Sequence, residues 1–124
     1  NWTPEGYIGQ LFKTIGKHVP PPPAAKSPAL WGTQAHVDHL FGDGASSIVA
    51  TKREFMFRYR SAQHFIDTFK SYYGPVLKTF GALSSADQAA LKNDMLALID
   101  RFNRASDGTM AVPGEYLEIV IVKR

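Results

Sequence analysis

From Tyr116 to Val122 the chain alternates two sets of side chains, Leu117, Ile119 and Ile121 against Tyr116, Glu118, Val120 and Val122. Between Ile119 and Val122 both sets are apolar. Such a segment is a strand, and one that is apolar on both sides belongs inside a sheet, covered above and below. Burying the side chains from Ile119 to Val122 is worth about 6–10 kcal/mol as an upper bound. One other segment, Ser46 to Arg60, has a comparable pattern, with Phe55, Phe57 and Tyr59 on one face and Met56, Arg58 and Arg60 on the other. With a single partner strand, one edge of the last strand keeps unpaired backbone groups beside apolar side chains, which is an association hazard. More chain, a second copy or another protein is expected to cover it.

The rest of the chain reads as helices around this ribbon. Thr3-Pro4-Glu5 is a helix start, with Thr as N-cap, Pro in the first position and an acid in the first turn. Ile8, Leu11, Phe12, Ile15 and Val19 follow at helical spacing, and the prolines from Pro20 to Pro23 stop the helix. Pro20 to Lys26 is expected as an extended surface loop, although a proline run can also be a ligand for an SH3-type domain. Ser27-Pro28 opens a short turn through Leu30 and Trp31, and Thr33 caps a second helix that Gly42 ends. Gly42-Asp43-Gly44 is a loop before the first strand. Ser61 caps a third helix carrying Phe65, Ile66, Phe69, Tyr72 and Tyr73, kinked at Gly74-Pro75 and continued by Val76, Leu77, Phe80 and Leu83. Ser85 and Gln88 form a capping box for a fourth helix with Leu91, Met95, Leu98 and Phe102 on one face. That helix ends near Asp107-Gly108, and a strand from about Thr109 to Lys123 follows, with Pro113-Gly114 as a bulge or bend. The expected class is α+β: two antiparallel strands with about four helices in a single domain over residues 1–124.

Composition narrows the function classes. The 8 Phe, 5 Tyr and 2 Trp exclude a disordered tail. No apolar run approaches the roughly 20 residues a membrane helix needs, and no secretory leader is visible. Cys is absent, which removes disulfides, thiolate metal sites and a Cys nucleophile, and suits a cytoplasmic location. The net charge of +3 comes from Lys and Arg spread along the chain, with Lys52-Arg53, Arg58, Arg60 and Lys123-Arg124 the densest groups. No stripe tracks a phosphate backbone, so neither nucleic acid nor membrane is expected as a partner. A start at Asn1 rather than Met reads as a trimmed start or a piece of something longer.

Five stretches carry a family likeness: Asn1-Trp2-Thr3-Pro4-Glu5-Gly6, Leu30-Trp31-Gly32-Thr33, Phe57-Arg58-Tyr59-Arg60-Ser61, Tyr72-Tyr73-Gly74-Pro75 and Glu115-Tyr116-Leu117-Glu118. In this order the chain resembles the C-terminal half of a bacterial class I S-adenosylmethionine-dependent methyltransferase. The resemblance implies part of a doubly wound sheet. Ser46 to Arg60 would be its sixth strand, and the strand ending at Lys123 its antiparallel seventh, lying between the fifth and sixth. Asn1 would fall just after the absent fifth strand. The glycine-rich turn and the acid that bind the cofactor in this family belong to the half that is missing. Gly42 and Gly44 lack the strand-turn-helix setting of such a turn. The resemblance therefore implies no S-adenosylmethionine site in this chain alone and no methyl transfer by it alone. It implies an acceptor-covering part, built from the first helix near Trp2, the Trp31 turn and the Tyr72-Tyr73 bend.

Among chemistry-bearing residues, Trp2, Trp31, Arg58, Tyr72 and Tyr73 are the candidate ligand-pocket set. Arg58 with Arg60 can take an anionic group in bidentate fashion, or remain a solvated strand face. Tyr72 and Tyr73 precede a helix break, where a pocket forms or where aromatic rings pack. His36 and His39 share a helix face, but with only His64 or Asp43 as further ligands they read as exposed histidines. No nucleophile elbow and no placed acid–base pair is present, so no catalytic residue is assigned. Two functions are expected to compete: the acceptor-covering methyltransferase-like part, and a free-standing homodimeric module for a small apolar or aromatic ligand. The dimer would form through Tyr116, Leu117, Ile119 and Ile121, giving a sheet of about four strands. The other expected partner of that edge is a missing cofactor domain.

Overall fold

A turn ahead of Gly6 starts helix α1 (Tyr7–His18) in the computed structural model, which describes residues 1–124 throughout. Thr3 acts one turn earlier than a helix cap would, its hydroxyl accepting from the Gly6 amide at 3.2 Å. Pro20 to Lys26 follow without regular structure, then a 3-10 turn (Pro28–Gly32) whose first amide is held by the Ser27 hydroxyl. Helix α2 (Gln34–Phe41) ends at Gly42, and Gly42–Gly44 form a second 3-10 turn rather than an open loop. Strand β1 (Ala45–Tyr59) leads through Ser61, which caps at His64, into α3 (Ala62–Tyr72). Helices α4 (Gly74–Ala82) and α5 (Ser85–Phe102) precede strand β2 (Met110–Lys123).

The chain is α+β, with one two-stranded antiparallel sheet and five α-helices. The fifth helix arises where a kink was expected. Tyr73 takes an extended conformation and Pro75 sits in the first turn of a new helix, because proline can neither bond the preceding turn nor avoid its carbonyl. The capping box of α5 lies one residue earlier than the pattern suggests: Ser84 accepts from the Asp87 amide at 3.2 Å and donates to its carboxylate at 2.7 Å. Gln88 is used differently, its amide donating to the Phe80 and Leu83 carbonyls and closing the end of α4. Helix α5 stops at Phe102, ahead of the expected Asp107-Gly108, and Gly108 turns the chain with a φ of 85°.

Strand pairing runs from Ala45 opposite Lys123 to Tyr59 opposite Met110. The only register irregularity lies between Ala45 and Ser47; Pro113 and Gly114 pair in register with Met56 and Phe55, so no bulge forms there. Two causes account for this. The backbone groups of Ala111, Glu115 and Leu117 bond away from β1, so the amide that Pro113 lacks belongs to the outer edge and the ladder loses nothing. Gly114 has no side chain because a Cβ there would lie 2.6 Å from the Phe57 ring and 3.1 Å from the Trp2 ring.

Helices cover both faces of one half of the ribbon. On one face Phe57, Met110 and Val112 join Tyr7, Leu11, Phe65, Leu91, Met95 and Ile99 in a core of 15 buried residues. On the other, α2 and the first 3-10 turn lie against the strands, where Val37, Ala29 and Leu117 are buried. The far half of the ribbon is bare: Val120 is 55%, Ile121 39% and Val122 50% exposed. The segment read as interior, Ile119 to Val122, is therefore not covered by this chain: Ile119 is half-buried and the residues from Val120 onward are exposed, because the helices and the first 3-10 turn reach only as far as Leu117.

Candidate functional site

Two features of the molecule can bind something, and both grow from α1 and the segment before it. The first is the outer edge of β2. At Ala111 this edge is closed by the Asn103 side chain (2.7 Å) and the Arg104 amide (2.9 Å), and at Pro113 there is no donor to satisfy. At Glu115 and Leu117 it is closed by Asn1–Thr3: the Thr3 amide donates to the Glu115 carbonyl at 3.1 Å, the Leu117 amide to Asn1 at 2.9 Å, and Trp2 forms an antiparallel bridge with Tyr116. Strand alternation assigns the remaining outward groups to Ile119, Ile121 and Lys123; no other backbone segment pairs with them, and the one side-chain contact is the Ser46 hydroxyl, which donates to the Lys123 carbonyl at 3.4 Å. Glu115 anchors the seam. It accepts from the Thr3 hydroxyl at 2.8 Å and pairs with Lys52 at 3.1 Å, and these partners, Thr3 foremost, hold its carboxyl below the usual carboxylate range.

The second feature is a cleft of about 610 Å³ between α1, the proline-rich segment, the first 3-10 turn and the start of α4. Ile8 and Leu11 turn into the core, whereas Gly9, Phe12, Gly16 and Val19 form the face of α1 that lines the cleft. Gly9 is required by close approach, since a Cβ there would sit 2.3 Å from the Thr3 carbonyl oxygen. The opposite wall is Pro21, Ala25, Pro28, Ala29 and Leu30, and Thr79 closes one end with its hydroxyl already donated to Pro75 at 2.8 Å. Lys13 and Lys26 are the only charged residues in the lining.

None of the five sequence-derived pocket residues lines this cleft, and they do not converge. Trp2 packs on Phe57 (5.6 Å between ring centres) and edge-on to Tyr116 (6.0 Å). Trp31 is 44% exposed and forms a separate aromatic group with His36 and Phe41. Arg58 is exposed on β1 opposite Ala111. Tyr72 is 85% exposed, while Tyr73 packs on Phe69 at 4.8 Å and burial raises its phenol pKa. His36 and His39 stay on α2, and no group of three or more His, Asp or Glu side chains is placed to hold a metal ion. No helix is long and apolar enough to cross a membrane. Of the cleft residues, Phe12, Lys26 and Leu30 read in the sequence only as parts of a helix face, a loop and a turn and Lys13 carried no reading, though Gly9 and Gly16, two turns apart on one helix face before a proline run, are a signal for a trough.

No protein-family profile matches the chain. An uncharacterized protein of Mycobacterium tuberculosis is 32% identical over 126 residues, covering 100% of this chain and 45% of its own length. An uncharacterized protein of Mycobacterium bovis is similar to the same extent. Another uncharacterized Mycobacterium tuberculosis protein is 31% identical over 96 residues, or 76% of this chain and 35% of its own length. The chain therefore spans less than half the length of these curated relatives.

Proposed function

We propose that the chain is the acceptor-covering part of a class I methyltransferase-like protein, working with a separate cofactor-binding part and inactive alone. The observation that carries this reading is the edge of β2. Asn1–Thr3 run antiparallel to it at Glu115–Leu117, and the same direction extended backward brings a preceding segment alongside Ile119, Ile121 and Lys123. A strand there would make β2 interior, which suits side chains that are apolar on both faces. The greater length of the relatives supports the same reading. Assigning S-adenosylmethionine to the other part is supported by the one strand-to-helix junction present: β1 enters α3 through Arg60 and Ser61, without the glycines that let a backbone approach a dinucleotide-like ligand. Titration calorimetry tests the reading. Residues 1–124 should show no saturable binding of S-adenosylmethionine, and the full-length Mycobacterium tuberculosis relative should bind it; tight binding by residues 1–124, or none by the full-length relative, overturns it.

A second reading, favoured by the cleft, is a homodimeric module for a small apolar ligand. Here the open edge of β2 is filled by another copy. Because Asn1 occupies the edge at Leu117, the two-fold axis that leaves room falls at Ile121. It sets Ile121 against its own counterpart, Ile119 against Lys123 and Glu118 against Arg124, an arrangement of opposite charges at the rim. Tyr116 and Leu117 then flank the contact instead of forming it.

A further inference from the structure

We infer that the cleft between α1 and the proline-rich segment binds an elongated apolar molecule with one anionic head, of the kind a free fatty acid presents. This deepens the second reading, and it does not depend on methyl transfer. Three observations lead to it. The walls are hydrocarbon: Phe12, Val19 and Leu30 supply the bulk, and Gly16 adds depth, since the nearest atom to a Cβ there would be the Pro21 ring at 3.9 Å. The outer wall is pre-shaped, because Pro21 and Pro28 fix their backbone and Ser27 pins the turn by accepting from the Ala29 amide at 3.3 Å. A ligand therefore has little ordering entropy to overcome. The volume of about 610 Å³ is that of a site for a ligand of this size.

Charge selects the head group. Lys13 on α1 and Lys26 on the opposite wall both line the cleft, no carboxylate does, and neither lysine belongs to any of the ion pairs of the chain. The notch that adjoins Lys13 on α5 adds Lys17 and Arg101, while its one carboxylate, Asp94, is bonded to His18 at 2.8 Å. An ammonium beside an apolar ligand is stabilised by a carboxylate and penalised by a neutral or cationic head. Nucleotide-like anions suit the lining less well: it holds one aromatic ring, no arginine and no glycine-rich turn at a helix start.

Dodecanoate, dodecanol and dodecyltrimethylammonium, each below its micellar concentration, are titrated calorimetrically into residues 1–124. Dodecanoate is expected to bind one per chain, dodecanol about tenfold more weakly and the cation weakest, because one charge-assisted bond is worth about that factor. The double variant Lys13→Ala and Lys26→Ala, both at exposed positions, should lose about tenfold for dodecanoate and nothing for dodecanol. Gly16→Val should weaken both, with its melting curve showing that the chain still folds. Equal affinity for dodecanoate and dodecanol, or indifference to the lysines, overturns the anionic head while leaving a small-molecule site. No binding of any of the three overturns both, and so does association with anionic phospholipid vesicles in the absence of dodecanoate binding.

Discussion

Tyr7 carries its hydroxyl into the aromatic centre of the core, between Phe57, Phe65 and Phe102, where no protein group bonds it. Burial, with Tyr59 nearby, pushes its phenol far above the usual range, so the group is a neutral, unsatisfied hydroxyl. Tyr7→Phe should therefore raise stability by about 1 kcal/mol in urea denaturation, and a loss of stability would mean that the hydroxyl has a partner. Glu115 behaves in the opposite way. Its folded-state carboxyl lies below 4.5, so its contribution is complete above that pH and disappears as the pH falls through the lower folded value. Glu115→Gln should flatten the loss of stability as the pH falls below about 4.5; parallel curves for the two proteins would exclude the Thr3 and Lys52 contacts as its cause. Thr3→Val leaves the buried Gly6 amide unbonded and should cost about 1–3 kcal/mol. At this scale the sequence was legible only in part. It marked Thr3 as a cap, but the hydroxyl also reaches Glu115 across the whole chain, a contact that no local pattern contains.

Secondary-structure elements were the most legible level. The stop at Pro20, the cap at Ser61 and both strands follow from periodicity and from what proline and serine do to a backbone. The misreadings have specific causes. Ser84 and Ser85 both qualify as caps, and Asp87 decided for the first because its carboxylate answers the Ser84 hydroxyl. Pro113-Gly114 reads as a bend in isolation, whereas in the sheet the proline faces an edge with no ladder bond to lose and the glycine makes room for two rings. The cleft was not legible, because half of its wall is an irregular segment whose path across α1 has no period. Glycines within one fold give a test of this packing. Gly9→Ala drives a methyl group into the Thr3 and Pro4 carbonyls and should cost at least about 1–3 kcal/mol. Gly81→Ala, in open space on α4, should instead stabilise by about 0.5–1 kcal/mol. Thermal melts of the two variants that moved in the same direction would contradict the close approach at Gly9.

For the whole molecule, the apolar run in the last strand identified the right problem: a ribbon longer than the cover available for it. Its solution up to Leu117 by Asn1–Thr3 could not be read from the run itself, since pairing across that distance depends on how α1 is docked. If a second copy fills the rest, Ile121→Pro should abolish association in sedimentation equilibrium, because proline removes the outward donor on the axis, as Pro113 does farther along the same edge. Persistence of the dimer in that variant would move the contact elsewhere.

The bonds from Asn1–Thr3 to Glu115–Leu117 also fix an order of events. The first residues of the sequence find their partners only after β2 has been synthesised, so the growing chain carries Trp2 without Tyr116 and Phe57 without Val112 and Gly114 while α3 to α5 form from local contacts. Refolding should accordingly run in the sense helices first, ribbon last. A nascent polypeptide halted before Met110 would present that aromatic surface to chaperones rather than a finished core.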